Sequence, residues 1–325
     1  MQKNYTWDLI LKELKIEIKE CPRDETIDYI LPIACPITSF AIFKITGNDR
    51  YSFLQNQLTN NLAEEKICQL SAWCNPRGKV IANFIIINTG KYYLLLFKKN
   101  LKDYLYKKLN LYILRSDVII EDVTSLYLQL GLSNIDKLDL CYPTKSLKEG
   151  EIEFIDKNYI TRLPDYSGRY LIVAEVESIK DVIHKLKDSI NFAGYLNWEK
   201  QDILLKIPWI DFENKEKFLP QMINLDKLNA ISFKKGCYSG QEVIAKVHYR
   251  GKIKRNMMLI SSKNELYPGC YLYSESTEKK VGDILNSSSE KSDNNFFGLA
   301  IIESGKLNDD LFLDTHAKHK INIIK

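Results

Sequence analysis

The run SAWCNPRGKVIANFIIINTGKYYLLLF, Ser71 to Phe97, constrains the fold more than any other passage of the chain. Asn75 to Gly78 reads as a turn, and two apolar strands follow, joined by the hairpin signal Asn88 to Lys91. Upstream, SFAIFKI (Ser39 to Ile45) reads as a buried strand, and the TGND that follows places Asn48 or Asp49 to cap a helix carrying Phe53, Leu54, Gln57 and Leu58. Leu101, Tyr104, Leu105 and Leu109 make one helical stripe, and alternation returns in SDVIIEDV. Strands and helices mixed in this way predict an α+β unit.

At 325 residues the chain is long for one compact domain and predicts two or three. A second unit shows the strand-like SLYLQLGL and YLIVAEV, then a helix on which Ser178 precedes Asp181 by three residues, a capping-box spacing. His184 on that helix reads as a surface histidine, with no second ligand placed near it. Beyond Arg255 short strands are cut by Pro268-Gly269, Thr277-Glu278 and the polar stretch Asn286 to Asn295, which predicts a small all-β barrel. The boundaries read from these changes of pattern are 1–35 (a leader helix region), 36–123, 124–195, 196–250 and 251–325.

With 45% hydrophobic and 27% charged residues the chain can bury a core, which excludes a disordered or low-complexity chain. Val80 to Gly90 contains two Asn and is too short to span a bilayer, and the amphipathic start MQKNYTWDLILKELKIEIKE lacks the apolar core of a secretory signal, so a cytoplasmic location is expected. Seven scattered cysteines without a C-x-x-C pair, and four His, point away from a disulfide framework or a zinc ribbon, and no metal site is expected.

The net charge is +4, yet Lys234 to Arg255 alone holds seven bases against the single acid Glu242, or +6 in 22 residues. Within FLPQMINLDKLNAISFKKGCYSGQEVIAKVHYRGKIKR, Gly236 and Gly240 bracket Cys237-Tyr238-Ser239, a layout that lets backbone approach a ligand and leaves one thiol on a tight, basic turn. Lys234 and Lys235 would favour its thiolate if the turn is exposed, so Cys237 is the candidate reactive residue; a free cysteine is otherwise a small buried hydrophobe. The basic run, interleaved with Tyr238, His248 and Tyr249, suits an anion such as a polyglutamate tail, a phosphate or an RNA backbone.

Lys235-Gly236-Cys237-Tyr238-Ser239-Gly240-Gln241-Glu242, with Pro220-Gln221 and Asn224-Leu225 before it and Arg250-Gly251 after it, resembles the signature of the YgfZ-type folate-binding proteins, relatives of the glycine-cleavage aminomethyltransferase. ITGNDRYSFLQNQLTNNL, CNPRGKV and YILRSDV are similar to further motifs of that family. The resemblance implies a multidomain α+β ring of ferredoxin-like units with a C-terminal barrel, 36–123 being the first folate-binding unit and 196–250 the return segment that carries the signature. It also implies tetrahydrofolate or a derivative as cofactor and support of iron-sulfur proteins, those that methylthiolate tRNA included, with assembly factors as partners and no membrane. Cys237 is then the functional cysteine. Gln57 and Thr59 face the folate channel, and Asn75, Lys79, Gln221, Asn224, Lys235, Gly236, Tyr238, Gly240, Gln241, Glu242 and Arg250 complete the set.

Two departures stand out. Of the Glu-x-Gly-x-Pro stretch found in many relatives, Ile203 to Pro208 keeps only the proline, and Asn75 replaces the usual Asp. An aminomethyltransferase needs a carboxylate in the first domain, but Arg50 to Lys102 contains no Asp, and Glu64 and Glu65 lie in a polar AEEK stretch. That enzyme reading ranks behind the folate-binding one. An RNA-binding module built on the 234–255 strip and the terminal barrel, with a weak RNA contact, is the third.

Overall fold

The computed structural model describes residues 7–18, 32–62, 67–135, 147–275, 279–288, 295–316 and 318–324. Glu64, Glu65, Cys21, Cys141 and the Thr277-Glu278 turn lie outside them. Within the described residues, α-helices run over Trp7–Glu13 (α1), Arg50–Gln57 (α2), Lys102–Ile113 (α3), Ile179–Leu186 (α4), Tyr195–Leu204 (α5) and Gln241–Arg250 (α6). None is long and apolar enough to cross a membrane. The chain divides into two compact units, one of 1–53, 62–70 and 84–198, the other of 54–61, 71–83 and 199–325.

The first unit holds a six-stranded sheet in the order Asn191–Phe192, Ile33–Ile37, Tyr127–Ser133, Tyr170–Glu175, Asn158–Arg162 and Ile152–Ile155. The strand Ile33–Ile37 is missing from the sequence reading because Pro36 weakens its signal. It is tolerated because the parallel neighbour pairs only with Ile33 and Ala34, which leaves Pro36 at an edge on that side. Helices α1 and α4 bury Trp7, Ile10, Leu11, Val182 and Ile183 among Leu130, Ile160 and Ile172, the inward residues of this sheet. Ser178 stands at the α4 start, but its hydroxyl meets Asn158 Oδ1 at 2.7 Å and makes no cap, so the capping box does not form. His184 is exposed, as expected.

A five-stranded sheet follows the order Cys68–Cys74, Val80–Asn88, Tyr93–Lys98, Phe40–Thr46 and Ile119–Asp122. All nine residues of Val80–Asn88 are buried, seven of them apolar or alanine, with Asn83 satisfied by donating to Pro208 O at 2.9 Å. The Asn88 hairpin forms, and Leu105 and Leu109 form the buried stripe of α3, continued by the buried Leu101 at its N-cap. Asp49 precedes α2, but its carboxylate accepts a hydrogen bond from Asp117 N at 2.8 Å.

In the second unit the predicted barrel closes, in the order Arg255–Ser262, Phe296–Glu303, Lys280–Ser287, Tyr271–Ser274, Leu311–Phe312 and Lys320–Ile324. Ile260, Leu272, Ile284, Ala300, Ile302 and Ile321 fill it, and register shifts at Leu272/Tyr273 and Ile284/Asn286 supply the curvature that closure needs.

Candidate functional site

Every candidate residue read from the sequence falls in the second unit. Its centre is the loop Lys234 to Gly240, which leads into α6. Gly240 is the N-cap, in the left-handed region at φ +82°, and a Cβ there would lie 2.5 Å from Asn75 O and 2.8 Å from Gly78 Cα. That close approach seats the cysteine loop directly on the Asn75–Gly78 turn. Around Gly236 nothing lies within 4 Å of such an atom. Cys237 is exposed between them, whereas Cys35, Cys68 and Cys74 are buried thiols, the first two pushed up to about 12 by burial.

Lys235 has a role that its place in the signature does not reveal. Its ammonium donates to Gln55 O (2.6 Å), Leu58 O (2.6 Å) and Asn60 O (2.9 Å), carbonyls at the end of α2 and just beyond. A helix C-terminus leaves such acceptors unpaired, and a cation there is favoured by both hydrogen bonding and the helix dipole. Burial lowers the Lys235 pKa to about 8, and three carbonyls on three N–H donors keep it protonated at neutral pH. Thr59, expected to face a channel, is fully buried, donating to Ala230 O (2.8 Å) and accepting from Ala72 N (2.9 Å). Lys235 and Thr59 thus tie the end of α2 to the segment that carries Cys237.

Asn75 is equally committed. Its Oδ1 accepts from Arg77 N and Lys79 N, both at 3.0 Å, which fixes the amide orientation and turns Nδ2 onto Glu216 Oε2 at 2.9 Å. Glu216 sits 141 residues away in sequence, in the left-handed region at φ +61°, its N–H bonded to Val80 O at 2.7 Å. A non-glycine residue there costs about 1 kcal/mol or more. The amide of Asn75 is therefore met by a carboxylate that no local pattern announced. Asn75→Asp is expected to set two carboxylates against each other and lower stability by about 2 kcal/mol at neutral pH. Thermal melts check it: Glu216→Gln added to the same chain restores the melting temperature, and an unchanged melt for the single variant contradicts the contact.

The remaining candidates divide by burial. Gln221 is buried, its Nε2 donating to Ile244 O at 2.7 Å while Oε1 has no partner among the described residues. Tyr238 is buried, its phenol pKa raised by that burial and by the nearby Cys74, with the Lys235 ammonium 5.2 Å from its ring centre. Gln57 and Asn224 are half-buried and make no side-chain hydrogen bond among the described residues; Asn224 ends the short helix Pro220–Ile223 at φ +58°. Lys79 is half-buried, its pKa lowered by desolvation and by Arg255. The Gln241 amide reaches Lys235 O and Gly236 O only at 3.4 Å each. Glu242 is exposed in the first turn of α6, and Arg250 at its last residue is about 13 Å along the helix axis from Gln241. The structure thus gathers the end of α2, the Asn75 turn and the Cys237 loop, and leaves Glu242 and Arg250 on the surface. Among the described residues no cluster of His, Cys, Asp or Glu is placed to hold a metal ion.

The sequence matches no family model. It is similar to the tRNA-modifying protein YgfZ of Buchnera aphidicola subsp. Schizaphis graminum (strain Sg), 34% identical over 265 residues that cover 78% of each chain. It is also similar to the protein of that name from Hamiltonella defensa subsp. Acyrthosiphon pisum (strain 5AT), 30% identical over 70% of this chain and 69% of that one. Among solved structures it resembles glycine cleavage system aminomethyltransferase T from Bartonella henselae, with a TM-score of 0.73 over 97% of this chain and 94% of that one. At 11% identity that likeness shows the fold alone. With 34% identity to a YgfZ protein over 78% of its length, on an aminomethyltransferase fold that ends in a closed barrel, the chain belongs to the YgfZ family of tRNA-modifying proteins.

Proposed function

We propose that this chain is a cytoplasmic tetrahydrofolate-binding protein that supports assembly or repair of iron-sulfur clusters, those of tRNA-methylthiolating enzymes included, with Cys237 as its functional thiol. The observation that carries the reading is the exposure of Cys237 on a loop anchored on both sides of it: Lys235 by three carbonyls, Tyr238 by burial, Gly240 by the Asn75 turn. A buried structural cysteine needs no such scaffold, and an exposed thiol on a rigid loop can meet a partner iron-sulfur protein or assembly factor. In this reading 36–123 is the first folate-binding unit, 124–195 the second α+β unit, 196–250 the segment carrying the thiol and 251–325 the barrel.

The residues present fit a folate by their chemistry. A pterin edge offers N–H donors beside acceptors, and among the described candidate residues the amides of Gln57 and Asn224 and the buried acceptor Gln221 Oε1 are polar groups without a protein hydrogen bond. An acceptor left unpaired by the protein costs about 1–3 kcal/mol, which a ligand N–H would recover. These three residues would hold the ring, and Lys79 would meet a carboxylate or carbonyl. When bound, tetrahydrofolate supplies nitrogen atoms that accept or release a one-carbon unit. Thr59 and Asn75 support the site from behind, since their hydrogen bonds go to the protein.

Titration with tetrahydrofolate, followed by the fluorescence of the buried Trp73 and Trp209, is the direct test. Saturable binding is expected, together with stabilisation of about 2.7 kcal/mol at a ligand concentration of 100 Kd. Gln221→Leu should weaken binding at least tenfold. Neither a fluorescence change nor a shift in melting temperature at millimolar ligand would remove folate from the function.

A further inference from the structure

The far end of α6 carries a feature that the thiol and the folate site leave unused. Phe233 and His248 stack face to face, centroids 3.7 Å apart and 14° from parallel, and Tyr249 packs edge-on against both, at 6.2 Å and 4.8 Å. None of these rings is core: Phe233 is half-buried, His248 is exposed and Tyr249 is 67% exposed. In the same stretch of chain, Lys234, Lys246, Arg250, Lys252 and Lys254 are all exposed, and none forms an ion pair among the described residues. Arg255, the next base, is by contrast paired with Asp283 at 3.1 Å and Glu303 at 2.9 Å.

Both halves of this arrangement are unfavourable for a solvated surface. Lys246 and Arg250 lie four apart on one helix face, where like charges repel, and Glu242, in the first turn, is the one acid between residues 234 and 255. Exposed rings gain nothing from water. A ligand that repeats negative charge and also presents flat aromatic faces satisfies both halves, whereas a polycarboxylate satisfies only the charges. We propose that Phe233, His248 and Tyr249, with Lys246, Arg250 and Lys252, form a docking surface for single-stranded RNA, such as the unpaired loop of a folded RNA. Unpaired bases stack on aromatic side chains, and a paired duplex hides those faces. The proposal does not rest on folate binding or on Cys237.

The test uses the full chain and three fluorescent probes: an RNA stem-loop, a fully paired RNA duplex of equal length, and a polyglutamate peptide of equal charge. The stem-loop should bind more tightly than either of the others. Tyr249→Ser should weaken stem-loop binding by about 5- to 150-fold, the equivalent of one stacked base, and leave polyglutamate unchanged, while Tyr249→Phe keeps the affinity. Lys246→Gln with Lys252→Gln should flatten the slope of log affinity against log salt by about 1.4. Thermal melts of each variant separate lost binding from lost folding. Equal affinity for stem-loop and polyglutamate, with no effect of Tyr249→Ser, would reduce the strip to a general anion surface and overturn the proposal. So would failure to bind the stem-loop at low salt, the result expected if the occupant were an acidic protein.

Discussion

Replacing Cys237 by Ser is expected to abolish support of iron-sulfur enzymes in cells while leaving the melting temperature within about 2 °C of the original. Two observations separate these outcomes. The side chain is exposed, so exchanging sulfur for oxygen removes no buried contact, and surface changes of that size stay within about 0.5 kcal/mol. The loop keeps its shape because its anchors are elsewhere, in the Lys235 hydrogen bonds and the Gly240 contact. A hydroxyl ionises far above neutral pH and is a poor substitute for a thiol in nucleophilic or redox chemistry, so the loss should approach that of the deleted gene. Complementation assays run beside thermal melts check it. Full complementation by the Ser variant would mean that the thiol carries no chemistry.

Gly240→Ala is expected to do the reverse and unfold before it disables. The added Cβ would lie 2.5 Å from Asn75 O and within 3 Å of two Gly78 backbone atoms, none of which is the free end of a flexible side chain. The φ of +82° adds strain for any L side chain. Overpacking and strain together predict a loss of about 3 kcal/mol or more, and a melting temperature lower by roughly 6 °C or more. Gly236→Ala is the matched control, because a Cβ there meets nothing and stability should change by less than about 0.5 kcal/mol. Scanning calorimetry of the pair decides between the two glycines. A Gly236→Ala variant that melts normally but fails in cells would assign that glycine to close approach of a ligand or partner, and equal melts for both variants would remove the contact between the loop and the Asn75 turn.

The elements legible in the sequence are those whose signal is local. Val80–Asn88 and its hairpin, the α3 stripe and the closed barrel follow from apolar periodicity and turn residues, which act within a few residues along the chain. Ile33–Ile37 was lost to Pro36, whose meaning changes with the extent of the neighbouring strand. The Ser178 capping box had the right spacing, yet Asn158 takes the hydroxyl. The α6 helix was hidden beneath its own charges: read as a basic strip, Lys246, His248 and Arg250 gave no hint that Ile244 is the buried anchor of one helical face.

For the site, the sequence alone determined that one cysteine lies between two glycines in a segment of +6 charge, because composition and spacing are properties of the chain itself. Tertiary structure decided what each neighbour does. Lys235 is drawn to the end of α2, across 175 to 180 residues, because unpaired helix carbonyls attract a cation. Glu216 meets Asn75 because a strained loop pairs with Val80 and swings a carboxylate to an amide already oriented by its own turn. Hydrogen bonds of this reach depend on where the backbone has been carried, and that is settled only when the sheets and barrel close.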